Sequence, residues 1–344
     1  MSNTVIVQAA EPGSRDFTPL VWQKVKVRKS LDEICHYMEL TLPSSERGKI
    51  RKHDRVEVRV RNPLIVAASR ENPVPRVATV MVDEVRDSSD ASKKYISVIG
   101  RSPARDIIDS KWHGSCLNQT NLEGVANYVA GRFGIPVTRM GERETEPVFA
   151  FTWGNESPWT KLINEADNQG WIFTSNEAGG LILWQVAAGV RREGFALEEG
   201  LNIREIEYTQ NGAEQFHEYI VRAFWREARE IDHTCRNNRI LTINLTDVLI
   251  QDETLRRRAR TEMLRRRENR VLATVSGWGL EDAQIRKLGD LYQKELFWNP
   301  NFLIPVRMPS FGLNDRLLVS KVEYVAEPSL MKTALTLVNP EAYS

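Results

Sequence analysis

The stretch Asp54-Arg-Val-Glu-Val-Arg-Val-Arg-Asn62, DRVEVRVRN in one-letter code, alternates apolar and charged residues without a break. Successive side chains of a β-strand point to opposite faces, so Val56, Val58 and Val60 share one face. The charged residues between them share the other face. The stretch therefore predicts a half-buried strand, and the fold depends on how many such strands the chain contains.

The same period of two recurs on both sides of this stretch, between Val5 and Gly100. It is found in WQKVKVRKSLDEICHYMELTL, RVATVMVDEVRDSS and KKYISVIGRS, and clusters of Pro, Ser and Asp separate these segments. Residues 62–75 contain three prolines, which predicts a long surface loop between strands. Residues 1–101 are therefore predicted as a first antiparallel β domain.

After Gly100 the period changes to that of a helix in TNLEGVANYVAGRFGI. Thr120 and Glu123 have the spacing of a capping box, which predicts the start of a helix. Gly131 and Gly134 predict its end.

The segment SPWTKLINEADNQG repeats this arrangement, with Ser157 as the predicted cap, Pro158 at the first helical position and Gly170 at the end. It is followed by WIFTSNEAGGLILWQ, two apolar runs joined by a turn sequence that predicts a hairpin. Residues 102–197 are therefore predicted as a small α+β domain.

The rest of the chain returns to strand patterns, in LNIREIEYTQNG, EQFHEYIVRAFWRE, NFLIPVRMPS, RLLVSKVEYVAE and KTALTLVNP. The simplest arrangement is a second β domain, split into residues 198–238 and 298–344, with an inserted domain at 239–297. The predicted fold class is α+β, mainly β. It has two antiparallel β domains, a small α+β domain and a helical and strand insertion.

Composition narrows the function classes. The chain has 344 residues, of which 41% are hydrophobic, enough for real cores in two or three domains. Lys and Arg number 47 against 46 Asp and Glu, a balance that argues against a general nucleic-acid binder. Three scattered cysteines indicate a reducing compartment, and no export signal or membrane span is expected.

The search for catalytic and cofactor motifs is negative: no P-loop, nucleophile elbow, zincin or EF-hand pattern occurs. His113 with Cys116 and His233 with Cys235 are each a lone pair without a second pair at zinc-finger spacing. We therefore expect ordinary surface or core residues there, with no metal, no cofactor and no enzyme activity.

Two weaker features keep alternatives open. Glu142, Glu144 and Glu146 could supply the paired carboxylates of a lytic enzyme, although a charge run is more often a solvated loop. The aromatic pairs Phe224-Trp225 and Phe297-Trp298 could stack on bases, although core anchoring at strand ends is more common.

The strongest charge feature is QDETLRRRARTEMLRRRENRV, predicted as an arginine-rich helix over residues 252–271. At 100° per residue one stripe is shared by Arg256, Arg260, Arg267 and Arg270, the candidate partner-docking or packing residues. Arg257, Arg258, Arg265 and Arg266 fall elsewhere around the helix. Nucleic-acid binding through this helix is an alternative function.

The arginine-rich helix also has the spacing for internal ion pairs. Glu262 is four residues from Arg258 and from Arg266, and Glu268 is three from Arg265. Leu255, Ala259 and Met263 form only a narrow apolar strip. The pattern predicts a salt-bridged helix that packs on its own domain or is completed by another subunit.

Several segments resemble the baseplate hub family of contractile-tailed phages, of the phage Mu type, also called P-like or late-control-D-like. They are VKVRKSLDEICHYMEL, VDEVRDSSDASKKYISVIGRSPARDIIDS, WIFTSNEAGGLILWQ, FHEYIVRAFWRE, RARTEMLRRRENRVLATVSGW and LFWNPNFLIPVRMPSFGLNDRLLVSKVEYVAEP. None of them is a catalytic signature. Their order over nearly the whole chain carries the resemblance.

The resemblance implies a homotrimer in which each subunit supplies two tube-type β-barrel domains to a pseudo-sixfold ring. The implied partners are the tail tube protein, the central spike protein and other baseplate proteins, in a virion tail assembled in the host cytoplasm. DNA would pass through the ring without specific binding, and no stable membrane insertion is implied. The resemblance implies no active site, and we expect the arginine-rich helix to lie outside the channel.

Overall fold

A computed structural model describes residues 4–61, 74–89, 94–116, 120–148, 151–154, 157–185, 190–245, 251–267, 269–279 and 297–343. The loop predicted at residues 62–75 lies almost wholly outside these ranges. Strands dominate the described residues, so the predicted class, α+β and mainly β, is confirmed.

The strands are numbered in chain order. They are β1 Thr4–Ala10, β2 Thr18–Leu20, β3 Lys24–Ser30, β4 Tyr37–Pro43, β5 Arg55–Arg61, β6 Arg76–Ser89, β7 Lys94–Arg101, β8 Gly114–Cys116, β9 Thr120–Asn121, β10 Val137–Met140, β11 Pro147–Val148, β12 Phe151–Trp153, β13 Trp171–Ser175, β14 Leu181–Gln185, β15 Val190–Arg191, β16 Leu197–Glu198, β17 Ile203–Gln210, β18 Glu218–Ala223, β19 Arg226–Ile231, β20 Ile240–Leu245, β21 Asn269–Ser276, β22 Phe302–Met308, β23 Leu313–Glu327 and β24 Leu330–Val338.

The α-helices of the described ranges are α1 Arg105–Asp109, α2 Leu122–Gly131, α3 Pro158–Gln169 and α4 Asp252–Arg266. Short 3-10 helices occupy Ser44–Glu46, Glu193–Phe195, Pro309–Phe311 and Pro340–Tyr343. None of these helices is both long enough and apolar enough to cross a membrane.

One large sheet organises the molecule. Its strands follow the order β17-β21-β24-β23-β3-β4-β7-β6-β5-β1-β2, and β22 pairs with β23 and carries β15 and β16 on its other edge. All the pairings along the main path are antiparallel. The sheet therefore joins the N-terminal and C-terminal parts of the chain through a single pairing, β23 with β3.

The two parts of this sheet repeat each other. The order β3-β4-β7-β6-β5-β1 in the N-terminal half corresponds to β17-β21-β24-β23-β22 followed by β15 and β16 in the C-terminal half. The long strands β6 and β23 each carry a bulge, after Val82 and after Val319, at matching positions against β7 and β24. The buried residues also match.

The matching core residues are Met38, Leu40 and Leu42 on β4 and Val271, Ala273 and Val275 on β21. They belong to one continuous hydrophobic cluster that covers both halves. Burial of the apolar face of each strand is the main force that holds this sheet together.

The α+β region has its own core, built from α1, α2, α3 and the sheet β10-β14-β13. Ser157 caps α3 with Pro158 at the first position, Gly170 ends it in the left-handed region, and β13–β14 form the predicted hairpin. The cap of α2 differs from the prediction. Thr120 lies on β9, and Asn121 is the cap, with its side chain accepting from the Gly124 amide at 2.9 Å.

A separate three-stranded sheet, β19-β18-β20, packs against α4. Its strands β18 and β19 lie in the part predicted as second β domain, whereas β20 lies in the predicted insertion. Strand β21, also in the predicted insertion, pairs with β17 and β24 in the large sheet. The strand pairings therefore do not follow the predicted boundaries at Arg239 and Phe297. A strand joins the sheet whose strands supply the hydrogen-bond partners of its backbone groups.

Candidate functional site

The arginine-rich helix α4 is held on one side by apolar contacts. Leu255 and Ala259 are fully buried against Val221, Ala223 and Ala228 of the β18–β19 hairpin. The predicted apolar strip is formed only in part, because Met263 is half-buried and lies outside this cluster. Charged side chains therefore make much of the remaining attachment.

Two arginines of α4 attach it to α3 by ion pairs. Arg258 and Arg265 both approach Asp167 at the end of α3, at 2.7 and 3.3 Å. Glu262 pairs with Arg258 at 2.9 Å and with Arg266 at 3.3 Å, which confirms the predicted four-residue pairs. Glu268, the other predicted partner, lies outside the described residues.

A further pair joins α4 to the α+β region. Arg257 contacts Glu146 at 3.0 Å and donates to the Asn168 carbonyl at 3.1 Å. The carboxylate run at residues 142–146 is therefore partly structural, since one of its members binds the helix. Glu142 and Glu144 are exposed.

The predicted stripe of four arginines is not formed. Arg256 and Arg260 are exposed on α4 and have no ion-pair partner among the described residues. Arg267 is the residue that caps the C-terminal end of the helix, and Arg270 lies on β21. The helix thus ends at Arg266 instead of continuing to Val271, because the following residues pair with β17 and β24.

The β23–β3 junction holds a buried cation. Lys29 is 2% exposed and donates to Glu177 Oε1 and to Asn299 Oδ1, both at 2.9 Å. Its Nζ also lies 5.8 Å from the centre of the Tyr324 ring. Glu177 comes from the β13–β14 turn, so Lys29 ties together three distant parts of the chain. No charge motif in the sequence marks this lysine.

His36 lies buried beside this cluster. Burial and then the charge of Lys29 lower the pKa of His36 to about 3. Its Nδ1 has no hydrogen-bond partner among the described residues. The imidazole is therefore neutral at physiological pH.

Within the described ranges, two long strands of the large sheet, β6 and β17, have an open edge in addition to the short end strand β2. The first half of β23 pairs with β22 and its second half pairs, on the same edge, with β3. In the N-terminal half, β6 pairs with β5 only up to Met81, and no described strand covers the following residues 84–89 on that edge. The outer edge of β17 is likewise uncovered within the described ranges. Open edges favour pairing with another chain.

The two aromatic pairs have different environments. Phe297 and Trp298 are buried, in agreement with core anchoring. Phe224 and Trp225 form the tip of the β18–β19 hairpin, are 76% and 73% exposed and stack edge to face at 4.5 Å. Core anchoring is therefore wrong for this pair.

The remaining sequence candidates do not come together as a site. Within the described part of the chain, no group of three or more His, Cys, Asp or Glu residues is placed to hold a metal. Cys235 is buried and His233 is exposed. The side chain of Cys116 lies outside the part of the chain that the structure describes.

No protein-family model matches the chain, and no curated protein matches it by sequence. Solved structures do match. The 43 kDa tail protein of prophage MuSo2 from Shewanella oneidensis superposes with a TM-score of 0.79 over 99% of both chains, at 22% identity.

Two further solved structures extend the comparison. A tail protein from Neisseria meningitidis superposes with a TM-score of 0.74 at 14% identity, over 98% of this chain and 99% of that one. An Escherichia coli type VI secretion component, described as similar to the T4 tail proteins gp27 and gp5, gives 0.60 at 9% identity, over 96% and 76%. The expected resemblance is thus confirmed at the level of the fold: the chain has the fold of phage and prophage tail proteins, consistent with a Mu-like tail baseplate hub fold.

Proposed function

We propose that this protein is the structural hub of a contractile-tail baseplate, a homotrimeric ring that joins the tail tube to the central spike. The observation that carries the proposal is the internal repeat of the large sheet, with an open edge at each half. Tail proteins of the same fold support it.

The repeat accounts for the symmetry that such a hub needs. Each chain contributes two similar halves, so three chains contribute six and can match a sixfold tube on one side and a threefold spike on the other. A closed ring requires two different faces on each subunit. The uncovered edges of β6 and β17 lie on different halves of the sheet and meet this requirement.

The proposed task is mechanical. The hub contacts the tube protein, the spike and other baseplate proteins, nucleates tail assembly and forms part of the passage for DNA. We infer that it is not an enzyme and that DNA passes without specific binding. Its site of action is the virion tail, after assembly in the host cytoplasm.

The proposal is tested by native mass measurement and electron microscopy of the purified chain, alone and mixed with candidate tube and spike proteins. We expect trimers that form rings with six similar lobes. A chain that stays monomeric at micromolar concentration with and without these partners contradicts it.

A further inference from the structure

In the internal repeat β6 corresponds to β23, and β17 corresponds to β3. The two open edges therefore match the two edges that pair at the β23–β3 junction. We propose that residues 85–89 of β6 pair with residues 206–210 of β17 from a second copy of this chain, in a register that repeats the internal β23–β3 pairing. This inference rests on the proposed ring and identifies the contact that closes it.

The internal junction provides the template. There β23 and β3 are antiparallel, with Val322 opposite Lys29, Tyr324 opposite Val27 and Ala326 opposite Val25. Val25 and Val27 are fully buried by this pairing. At the internal junction, the apolar side chains along the paired edge are therefore fully buried.

The register between copies follows from the two bulges. Glu84 and Lys321 are the first paired residues after the bulges, so β6 and β23 can be aligned from there. Pairing through β4 and β21 likewise aligns Val27 with Tyr208 and Val25 with Ile206.

The aligned positions give a ladder of five pairs between copies. They are Val85 with Gln210, Arg86 with Thr209, Asp87 with Tyr208, Ser88 with Glu207 and Ser89 with Ile206.

The apolar residues on the open edges are only partly covered. Val85, Ile206 and Tyr208 touch the main core but keep some exposure. Val322, Val25 and Val27, their counterparts at the internal junction, are fully buried. A second copy would complete the burial of these side chains and would pair the backbone groups of both edges.

The charges support the same partner. At the internal junction Lys26 forms a salt bridge with Glu323 at 3.1 Å. In the alignment Lys26 corresponds to Glu207, and Glu323 corresponds to Arg86. The junction between copies thus has the same ion pair with the charges exchanged, and both side chains are exposed in the single chain.

Because the charges are exchanged, each junction favours its own pair of strands. If β6 of one copy met β3 of another, Arg86 would face Lys26. If β17 met β23, Glu207 would face Glu323. Like charges placed together across strands are destabilising, so the charge pattern favours β6 with β17 and disfavours the two wrong combinations.

The test is a charge-reversal cycle on the full-length chain. Arg86→Glu and Glu207→Arg are made singly and together, and assembly is followed by sedimentation. One exposed ion pair contributes little to assembly, but a ring of three chains contains three copies of the pair. We therefore expect each single reversal to raise the concentration for half-assembly about tenfold or more, and the double reversal to restore it to within about threefold.

Two controls separate assembly from folding. Arg236→Glu makes the same charge change at an exposed residue between β19 and β20 and should leave assembly unchanged. Arg86→Cys combined with Thr209→Cys should give covalent oligomers on oxidation, because directly opposite residues come within disulfide distance. Arg86→Cys combined with Glu205→Cys, four residues out of register, should not.

The outcomes distinguish the two proposals. A wild-type chain that never assembles overturns both the ring and this junction. A trimer that tolerates both single reversals, or is not restored by the double reversal, overturns the junction and leaves the ring standing. Restoration together with in-register crosslinking supports the junction.

Discussion

Lys29 depends on partners from distant parts of the sequence. Its ammonium group is buried, whereas the side chain of its partner Glu177 is 42% exposed. Removing the carboxylate leaves a buried cation without a counter-charge, and removing the lysine leaves a carboxylate that water can reach. The cost of losing each partner should therefore be unequal.

We predict that Glu177→Gln lowers the free energy of unfolding by about 1 to 3 kcal/mol, less than for a fully buried pair because water screens Glu177. Lys29→Met should cost less, since it replaces a buried charge with an apolar side chain of similar length. Urea unfolding of both variants and the wild type measures this. A larger loss for Lys29→Met would contradict the prediction.

His36 makes the stability depend on pH. Its pKa in the folded protein is about 3, below the ordinary value of 6.5, so the unfolded chain binds an extra proton between these values. The contribution of His36 to stability is complete above pH 6.5 and is lost as the pH falls toward 3.

We predict a loss of about 1 to 2 kcal/mol between pH 6.5 and about pH 5 from this residue, a range above the titration of ordinary carboxylates. His36→Gln cannot take up the proton. Its unfolding free energy should change less than that of the wild type over the same range, as measured by urea titrations at each pH. Equal losses in both proteins would exclude this role.

Asp167 joins helix α3 to helix α4. It is the shared partner of Arg258 and Arg265, and the side chains of Asp167 and Arg258 are mostly buried. We predict that Asp167→Ala lowers the free energy of unfolding by about 2 to 3 kcal/mol, because Arg265 loses its ion-pair partner and Arg258 keeps only Glu262. Chemical denaturation measures the change.

The matched control lies on the same helix. Arg256→Ala and Arg260→Ala remove exposed arginines without an ion-pair partner among the described residues, so each should change stability by less than about 0.5 kcal/mol. If these variants cost as much as Asp167→Ala, the arginines of α4 do not act through Asp167.

The β18–β19 hairpin has an unusual turn. Phe224 has a φ of 54°, a conformation that Asn and Gly adopt more readily than aromatic residues. We predict that Phe224→Asn stabilises the protein by about 0.5 to 1 kcal/mol, seen as a higher urea midpoint. Trp225, equally exposed but without a positive φ, is the control, and Trp225→Ser should have little effect.

The elements themselves were largely predictable. Alternation in DRVEVRVRN marks β5 because its valines are buried, and Ser157 and Pro158 mark the start of α3 because their chemistry is local. The end of α4 was not predictable by the same means. Arg270 continues a helical charge pattern, but pairing with β17 and β24, strands far away in sequence, places it in a sheet.

The protein should have little affinity for nucleic acid despite its arginine-rich helix. Four of its arginines are neutralised by carboxylates of this chain, and the net charge of the protein is only +1. We predict weak DNA binding without the steep loss at rising salt that phosphate neutralisation causes. Fluorescence anisotropy at increasing salt concentrations measures the affinity for DNA. Arg256→Ala combined with Arg260→Ala should leave this affinity unchanged.

The candidate junction between copies could be predicted from the sequence only in part. Edge strands could be expected of two β domains, but the identity of the open edges depends on β3 being covered by β23, almost three hundred residues later. The exchanged pair of Arg86 and Glu207 becomes visible only once the bulges of β6 and β23 align the two halves.

The same β23–β3 pairing also sets an order of events during synthesis. The ribosome releases β3 well before its partner strand β23 and before Asn299, which lies 270 residues after Lys29. Until then the edge of β3 is unprotected and Lys29 has at most one of its two polar partners. We expect the nascent N-terminal half to need protection from association with other chains, and to reach its final packing only after the C-terminal strands have been made.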